Sequence, residues 1–221
     1  MPPATSTTPS PEPTASFTTP SSEPTATFTT PSSEPTATFT TLRPDPAAAS
    51  PSATTARMRP VWLLDVDGVL NANRPGWGAA PRRAMAYAAG TGFLMRWAPA
   101  LLDRIRAIHR SGAVEIRWCT TWCPQSEQLE RLFALPRLEP CWTDELHQPE
   151  AAAAKLAAAR RVLAAGRPLI WTDDADIPPA AHEELPRLGR TLLITPRPNR
   201  GLQPEHLDAV EQFLVTSRPH P

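Results

Sequence analysis

The chain has 221 residues and carries no formal net charge at pH 7. This balance argues against a strongly basic nucleic-acid binder, and three cysteines are too few, and odd in number, for a disulfide framework. No apolar run approaches the length that spans a membrane and the N-terminus has no secretory signal, so we expect a cytoplasmic protein without a membrane partner.

The first segment, residues 1–57, is predicted to be a disordered tail. It holds 12 of the 29 prolines and 25 Ser and Thr residues, but no Gly, Trp or Cys. Three eleven-residue repeats follow one another over residues 9–41, as PSPEPTASFTT, PSSEPTATFTT and PSSEPTATFTT. This composition buries too little apolar surface to fold, and the prolines exclude a helix. We interpret the tail as a polyproline-like spacer; a glycosylated or partner-binding stalk and a translation start at Met58 are the alternatives.

The remaining segment, residues 58–221, has the pattern of one α/β domain. Apolar runs predict four buried parallel strands, at residues 61–66, 113–119, 168–172 and 191–195. Spaced apolar residues predict four helices, over 101–108 with an end near Gly112, around 129–133, over 149–165 and from Pro204 onward. Residues 71–97, with their glycine and proline breakers, are predicted to be irregular. Strands that alternate with helices predict a three-layer, doubly wound parallel sheet with helices on both faces.

Acidic residues follow two of the predicted strands. Asp65 and Asp67 end the first strand just before Gly68, and Asp173 and Asp174 end the third, with Asp176 just beyond. The carboxyl ends of parallel strands meet at one edge of the sheet, where ligands bind in such folds. Several carboxylates at one edge form a site for a hard cation, of which Mg²⁺ is the usual occupant.

An anion site is predicted beside these carboxylates. Thr120 and Thr121 end the second strand, and a hydroxyl and free N–H groups there could hold a phosphate. Lys155 is the single lysine of the chain and could supply the balancing positive charge. The alternative for this residue is an ordinary solvated lysine on an Ala-rich helix.

A zinc site is the weaker alternative, because its candidate ligands lack a firm paired spacing. Those candidates are Cys119, Cys123, Cys141 and His147.

These motifs resemble a known family. The run LLDVDGVL over residues 63–70 resembles the first motif of the haloacid dehalogenase (HAD) superfamily of phosphohydrolases. Thr120 is similar to its second motif, Lys155 to its third and the pair Asp173-Asp174 to its fourth. The runs DVDGVLN, WCTTW, LIWTDD and PNRGL resemble, more narrowly, the HAD-like domain of "Swiss Army Knife" RNA-repair proteins. The resemblance covers essentially all of residues 58–221.

The resemblance implies a HAD-like Rossmannoid fold and a Mg²⁺-dependent phosphohydrolase that acts on a phosphate monoester. Asp65 would be the nucleophile and would form an aspartyl-phosphate. Asp67 would protonate the leaving oxygen and then activate water.

The resemblance also implies the ligands of the metal and of the phosphate. Mg²⁺ would be held by Asp65, by the backbone carbonyl of Asp67 and by an acid of the 173–174 pair, Asp173 or Asp174. The phosphoryl oxygens would lie beside Gly68, and their ligands would be Thr120 (or Thr121) and Lys155.

The substrate class is predicted from the two gaps in which related enzymes carry a cap domain. The first gap, residues 71–97, has room for a flap but not for a domain. The second gap must already contain a helix, a short segment near residues 139–142 and the helix that carries Lys155, so we expect a nearly capless, open site. Open sites admit bulky phosphates, and the expected partner is a phosphorylated small molecule or a nucleic-acid end. An RNA-end phosphatase in repair and a non-catalytic phosphate-binding module are the alternatives. The flap has aromatic residues that could stack on bases or pack the flap down, namely Trp77, Tyr87, Phe93 and Trp97.

Overall fold

The computed structural model of the chain describes residues 59–217. The predicted disordered tail, residues 1–57 with its repeats, lies outside the described residues. Within the described range, no helix is both long enough and apolar enough to cross a lipid bilayer.

Seven strands and five helices are described. The strands are β1 Val61–Leu64, β2 Arg82–Ala88, β3 Thr91–Trp97, β4 Glu115–Trp118, β5 Glu139–Pro140, β6 Leu169–Thr172 and β7 Thr191–Ile194. The helices are α1 Pro99–Arg110, α2 Ser126–Phe133, α3 Glu150–Ala164, α4 Ala181–Leu188 and α5 Pro204–Thr216. A single 3-10 turn, Cys123–Gln125, precedes α2.

The main sheet has five strands in the order β5-β4-β1-β6-β7, and all neighbouring pairs are parallel. The chain therefore starts at the centre, adds β4 and β5 on one side, and then crosses to add β6 and β7 on the other. Such a reversal of direction leaves a crevice at the carboxyl ends of the central strands, where ligands bind. The sheet thus directs the search for a site to the ends of β1, β4 and β6.

Both faces of the sheet are covered by helices. Trp62 and Leu64 of β1 belong to a buried cluster that includes residues of α1 and α5, whereas Val61 and Leu63 belong to a second cluster with α3 and α4. All four side chains are fully buried, and each contributes about 1.5–3 kcal/mol through the apolar surface removed from water. The prediction of an α/β fold with a parallel sheet between helices is confirmed.

The predicted strands and helices are confirmed within a few residues at each end. The first strand ends at Leu64 rather than at Val66, because the chain leaves the sheet to make a tight turn. In this turn the carbonyl of Val66 accepts hydrogen bonds from the backbone N–H groups of Leu70 and Asn71, both at 2.8 Å. The turn places the acidic residues at the edge of the sheet instead of within it.

The prediction that residues 71–97 are irregular is wrong for their second half. β2 and β3 form an antiparallel hairpin, joined by a two-residue turn in which Ala89 and Gly90 have φ angles of 47° and 75°. Positive φ at both positions is typical of the type I′ turn that suits hairpins. The inward residues of β2 are alanines, so the alternation is between small and large side chains and contains no continuous apolar run.

One helix, α4, has no counterpart among the predicted elements. Its buried residues Ala181 and Leu185 lie one turn apart and pack in the second cluster. Pro186 lies inside this helix, and Pro178 and Pro179 lie just before it, so local sequence signals favour a loop there. Packing against the sheet outweighs those signals.

Candidate active site

Asp65 and Asp173 are brought side by side by the register of the central strands. β1 and β6 pair with Leu64 opposite Thr172, so the next residue of each strand is an aspartate at the same level. The backbone N–H of Asp65 donates to the carbonyl of Thr172 at 3.2 Å. The carboxylates of Asp65, Asp173 and Asp174 lie within 4.8 Å of one another, near enough to share one ion. Acidic side chains at a protein surface are solvated and need no cation. Two of these three are buried, where a negative charge needs a compensating partner.

Lys155 is buried among these carboxylates, with 3% of its side chain exposed. Its Nζ lies 3.2 Å from Asp65 Oδ2, 2.7 Å from Asp173 Oδ2 and 2.8 Å from Asp176 Oδ2. Burial alone would lower the pKa of Lys155, but the facing carboxylates outweigh it and hold the pKa above its ordinary value. These contacts favour the charged form of the lysine, and its burial shows that the alternative of a solvated surface lysine is wrong.

The charge of Lys155 does not fully offset the cost of burying an ionised Asp65 carboxylate. Burial raises the pKa of Asp65 far above its usual range; the charge of Lys155 opposes this effect, and the charge of Asp173 adds to it. Burial and the charge of Asp173 also raise the pKa of Asp174. These carboxylates would release their protons more readily if a further cation lay among them.

The two aspartates of the 173–174 pair have different surroundings. Asp173 is fully buried; its Oδ2 accepts from Lys155, and its Oδ1 accepts from the backbone N–H groups of Ala175 and Asp176 at 3.1 and 2.7 Å. Asp174 is only half-buried, and no such set of donors engages its carboxylate among the described residues. The carboxylate oxygens of Asp173 are therefore occupied by hydrogen bonds within the protein. Those of Asp174 have no such donors among the described residues and could bind a ligand.

Gly68 faces the carboxylate of Asp174. Its φ is +67°, which favours glycine, and a Cβ built on it would lie 2.2 Å from Asp174 Cγ. The first and fourth motifs therefore touch through a position that no larger residue can occupy. This close approach explains the glycine after Asp67 in physical terms.

Asp67 points away from the buried cluster and is exposed. Its Oδ1 accepts a hydrogen bond from Asn71 Nδ2 at 2.7 Å, and its Oδ2 accepts one from Trp122 Nε1 at 2.8 Å. Its side chain is not part of the three-carboxylate group, so only its backbone carbonyl, as predicted from the family resemblance, is a candidate metal ligand. Two neutral donors fix the carboxylate while solvent and substrate can still reach it.

Thr120 and Thr121 are separated by burial. Thr120 is fully buried at the end of β4, and its Oγ1 accepts from the backbone N–H of Trp122 at 3.3 Å. Thr121 is exposed and lines a cavity next to Asp67. The two threonines thus face different parts of the site.

Several residues shape the site through contacts that the sequence did not predict. Asp176 binds Lys155 and also accepts from Gln148 Nε2, at 3.0 Å to each oxygen. Asn71 is visible only as a residue four positions after Asp67, and Trp122 reads as core because it is a tryptophan next to a strand. Their roles depend on tertiary contacts, which motif spacing does not contain.

The cysteines are not members of the three-carboxylate group. All three are free; Cys119 and Cys123 are buried, and Cys141 is half-buried. Over residues 59–217, the group formed by Asp65, Asp173 and Asp174 is the one set of His, Cys, Asp or Glu side chains close enough to share an ion. The residues offered for a zinc site do not form such a set.

Comparison with known proteins identifies the family. The model of the HAD domain in Swiss Army Knife RNA repair proteins matches residues 61–207. No curated protein and no solved structure is significantly similar to the chain. The match covers well over half of the chain and contains every site residue described above. The chain therefore belongs to the family of HAD domains found in Swiss Army Knife RNA repair proteins.

Proposed function

We propose that the chain is a Mg²⁺-dependent phosphohydrolase that cleaves a phosphate monoester through an aspartyl-phosphate on Asp65. The observation that carries this proposal is the division of labour at the end of β1. Asp65 lies buried in a group of carboxylates 3.2 Å from Lys155, while Asp67 lies exposed and is held by two neutral donors. One carboxylate is thus placed as a nucleophile and the other as an acid and base.

The residues present fit Mg²⁺. Three carboxylates lie within 4.8 Å of one another, and burial raises the pKa of both Asp65 and Asp174, as expected where a hard cation is wanted. Asp65, the backbone carbonyl of Asp67 and an acid of the 173–174 pair would hold the ion. When bound, Mg²⁺ would neutralise charge on the phosphoryl group.

Of the two acids in the 173–174 pair, we assign direct contact with Mg²⁺ to Asp174. The oxygens of Asp173 are already engaged by Lys155 and by two backbone N–H groups, and withdrawing them would leave those donors unpaired. The carboxylate of Asp174 lies against Gly68 and has free oxygens. In this assignment Asp173 positions Lys155.

The chain's own residues would carry the reaction in two steps. In the first, an oxygen of Asp65 bonds to phosphorus, the bond from phosphorus to the ester oxygen breaks, and Asp67 gives that oxygen a proton. In the second, Asp67 takes a proton from water, whose oxygen bonds to phosphorus and releases Asp65 and inorganic phosphate. Thr120 and Lys155 would bind the phosphoryl oxygens on which the transition-state charge spreads.

The substrate would enter an open site. Among the described residues, the insertion after β1 is the β2–β3 hairpin and not a domain. We therefore infer a nearly capless enzyme whose substrate is a phosphorylated small molecule or a nucleic-acid end. An RNA-end phosphatase is the second candidate, and it is favoured by the RNA-repair context named for the matching family.

The proposal is tested by incubating the full chain with 4-nitrophenyl phosphate and with 5′- and 3′-phosphorylated RNA, each with and without Mg²⁺. We expect turnover that needs Mg²⁺ and that falls at least about a thousandfold in Asp65→Asn, because the nucleophile is lost. Asp208→Asn, an exposed acid of α5 paired with Arg104, is the matched control and keeps the activity. Preference for RNA ends would select the second candidate. Mg²⁺-dependent phosphate binding without turnover would select the non-catalytic module and reject an enzyme.

A further inference from the structure

A cavity of about 300 Å³ lies directly beside Asp67. Its walls are the tip of the β2–β3 hairpin, the turn that follows β4, and residues 145–148. In the proposed reaction Asp67 gives its proton to the departing oxygen, so the group attached to that oxygen must lie next to Asp67. This cavity is therefore placed where the leaving group has to go.

One wall of the cavity is a partly exposed aromatic ring. Phe93 lies on the inner face of β3, since its partner across the hairpin is the buried Ala86, yet Phe93 is 44% exposed. Trp122 packs against it in a T-shaped arrangement, with the ring centroids 5.4 Å apart and the planes at 85°. The exposed part of the Phe93 ring offers an aromatic surface against which another planar group can pack.

The charges around the cavity disfavour a second anion. Asp67 and Glu145 line it, and none of its described lining residues is Lys or Arg. A leaving group with a further phosphate or carboxylate would place negative charge beside these two acids without a strong counter-ion. The other polar groups of the lining can hydrogen-bond a neutral ring, and they come from Thr121, Gln125, His147 and Gln148.

The cavity is tied to the buried cluster by one chain of polar contacts. Gln148 donates to Asp176, and Asp176 in turn lies 2.8 Å from the Nζ of Lys155. Asp67 stands at the other end of the same space, fixed by Trp122. The walls that would hold a ring are thus held in place relative to the residues that would hold the phosphate.

We propose that this cavity is the leaving-group subsite and that it selects phosphate monoesters whose alcohol is a planar, uncharged ring system. The proposal rests on the phosphohydrolase function proposed above. A nucleoside and a simple aromatic alcohol share this chemistry, and a cavity of this size accommodates one such group. Phe93 is the specificity-determining residue, and the absence of lysine and arginine from the described lining selects against additional anions.

The ring is tested with benzyl phosphate and propyl phosphate, whose alcohols have similar acidity, so that a difference in kcat/KM reports binding of the ring. With the full chain and Mg²⁺, we expect benzyl phosphate to be favoured by about tenfold. Phe93→Ala should reduce this ratio by roughly fivefold or more. Leu94→Ala is the matched control, because Leu94 lies half-exposed on the outer face of the same strand, and it keeps the ratio.

The charge is tested with 4-carboxybenzyl phosphate and with two nucleotides. The carboxylate should remove the advantage of the benzyl ring, and adenosine 3′,5′-bisphosphate should be a poorer substrate than adenosine 5′-monophosphate. A higher kcat/KM for adenosine 5′-monophosphate than for benzyl phosphate identifies a nucleoside as the ring, and the reverse identifies a simpler aromatic alcohol. Equal kcat/KM for esters of the uncharged alcohols and for esters whose alcohol carries a further carboxylate or phosphate overturns the proposal.

Two further outcomes also overturn it: equal kcat/KM for the benzyl and propyl esters, or an unchanged ratio in Phe93→Ala. Failure of the phosphohydrolase function looks different, because no ester at all is then turned over. In that case calorimetry with benzylphosphonate and propylphosphonate still decides the subsite. Tighter binding of the benzyl compound that Phe93→Ala abolishes supports it, and equal binding rejects it.

Discussion

Two aspartates, two residues apart, have opposite environments at the end of β1. Asp65 turns inward toward Lys155, whereas Asp67 turns outward toward Asn71 and Trp122. The turn that begins at Asp65 produces this divergence, since residues two apart on a regular strand would point to the same face. The distinct roles proposed for the pair depend on this local geometry.

The indole of Trp122 is expected to position Asp67. Trp122→Phe keeps an aromatic ring beside Phe93 but removes the donor to Asp67 Oδ2. For an alkyl phosphate, whose leaving oxygen needs a proton, we expect kcat to fall by about tenfold. For 4-nitrophenyl phosphate, whose leaving group departs without one, the loss should be small.

The control for this variant is Trp142→Phe, because Trp142 Nε1 has no hydrogen-bond partner among the described residues. It should leave both substrates unaffected. An equal loss for the two substrates in Trp122→Phe would show that the indole acts only through packing.

The raised pKa of Asp65 predicts a dependence of stability on pH. The folded chain holds this proton up to a pKa of about 8, but the unfolded chain releases it near 3.8. Because the unfolded state binds fewer protons between these values, the free energy of unfolding of the metal-free protein should fall as pH rises through that window. Chemical denaturation at a series of pH values measures the slope.

The slope should be shallower in Asp65→Asn, where the raised pKa of Asp174 still contributes, and should shrink when Mg²⁺ is added, since the cation replaces the proton. Asp208→Asn should keep it. A metal-free protein whose stability changes with pH in the same way as that of Asp65→Asn would contradict the raised pKa.

At the scale of elements, the hairpin is the part of the domain that is least supported by its own sequence. Its turn places Ala89, a residue with a Cβ, at a φ of 47°, where Asn or Gly is preferred before Gly90. Ala89→Asn should therefore stabilise the hairpin by about 0.5–1 kcal/mol. Hydrogen exchange of the β2 and β3 amides measures this, and slower exchange is expected there.

The same variant should leave exchange in the main sheet unchanged, which separates a local from a global effect. Faster exchange in β2 and β3 would contradict a strained turn at this position.

The sequence identified those elements whose patterns are dictated by full burial. β1 and β6 are continuous apolar runs because helices cover both of their faces, and α3 was recognisable from its alanines. The β2–β3 hairpin and α4 were not predicted, because small alanines and internal prolines hide their periodicity. Element bounds shifted by a few residues where turns divert the chain.

At the scale of the whole molecule, the carboxyl and amino edges of the main sheet differ in how their carboxylate charges are balanced. The carboxyl edge gathers unbalanced carboxylates around Lys155, whereas at the amino edge Glu115 is surrounded by arginines that satisfy it. Burial would raise the pKa of Glu115, but hydrogen bonds from Arg167 and Arg117 lower it below its usual value. Carboxylate charge is in excess at the carboxyl edge and is compensated at the amino edge.

Glu115→Gln should test this separation. The variant leaves three arginines with a weaker partner and should lower the free energy of unfolding by about 1 kcal/mol, with Mg²⁺-dependent turnover unchanged. The pKa of Glu115 is lowered in the folded state, so Glu115 stabilises the fold at pH values above its usual pKa. This stabilisation should be lost as the pH falls from the usual pKa through the lowered pKa of the folded state. Urea denaturation at neutral and acidic pH measures the difference; lost activity at full stability would contradict it.

Motif order was enough to predict which strand ends meet, because the carboxyl ends of parallel strands always share an edge. It did not predict the contacts of Asn71, Trp122 and Asp176, which depend on side chains that approach from separate loops. The division between Asp173 and Asp174 is likewise a matter of which backbone N–H groups face them. Such contacts become visible only in three dimensions.

The central claim is that the phosphoryl group passes through Asp65, and trapping that intermediate tests it most directly. The full chain is mixed with 4-nitrophenyl phosphate and Mg²⁺, quenched in acid and treated with borohydride, which reduces an acyl phosphate to an alcohol. Peptide mass spectrometry should then find homoserine at position 65, only when Mg²⁺ and substrate are both present. Turnover with an unmodified Asp65, or reduction at a different aspartate, would contradict the account.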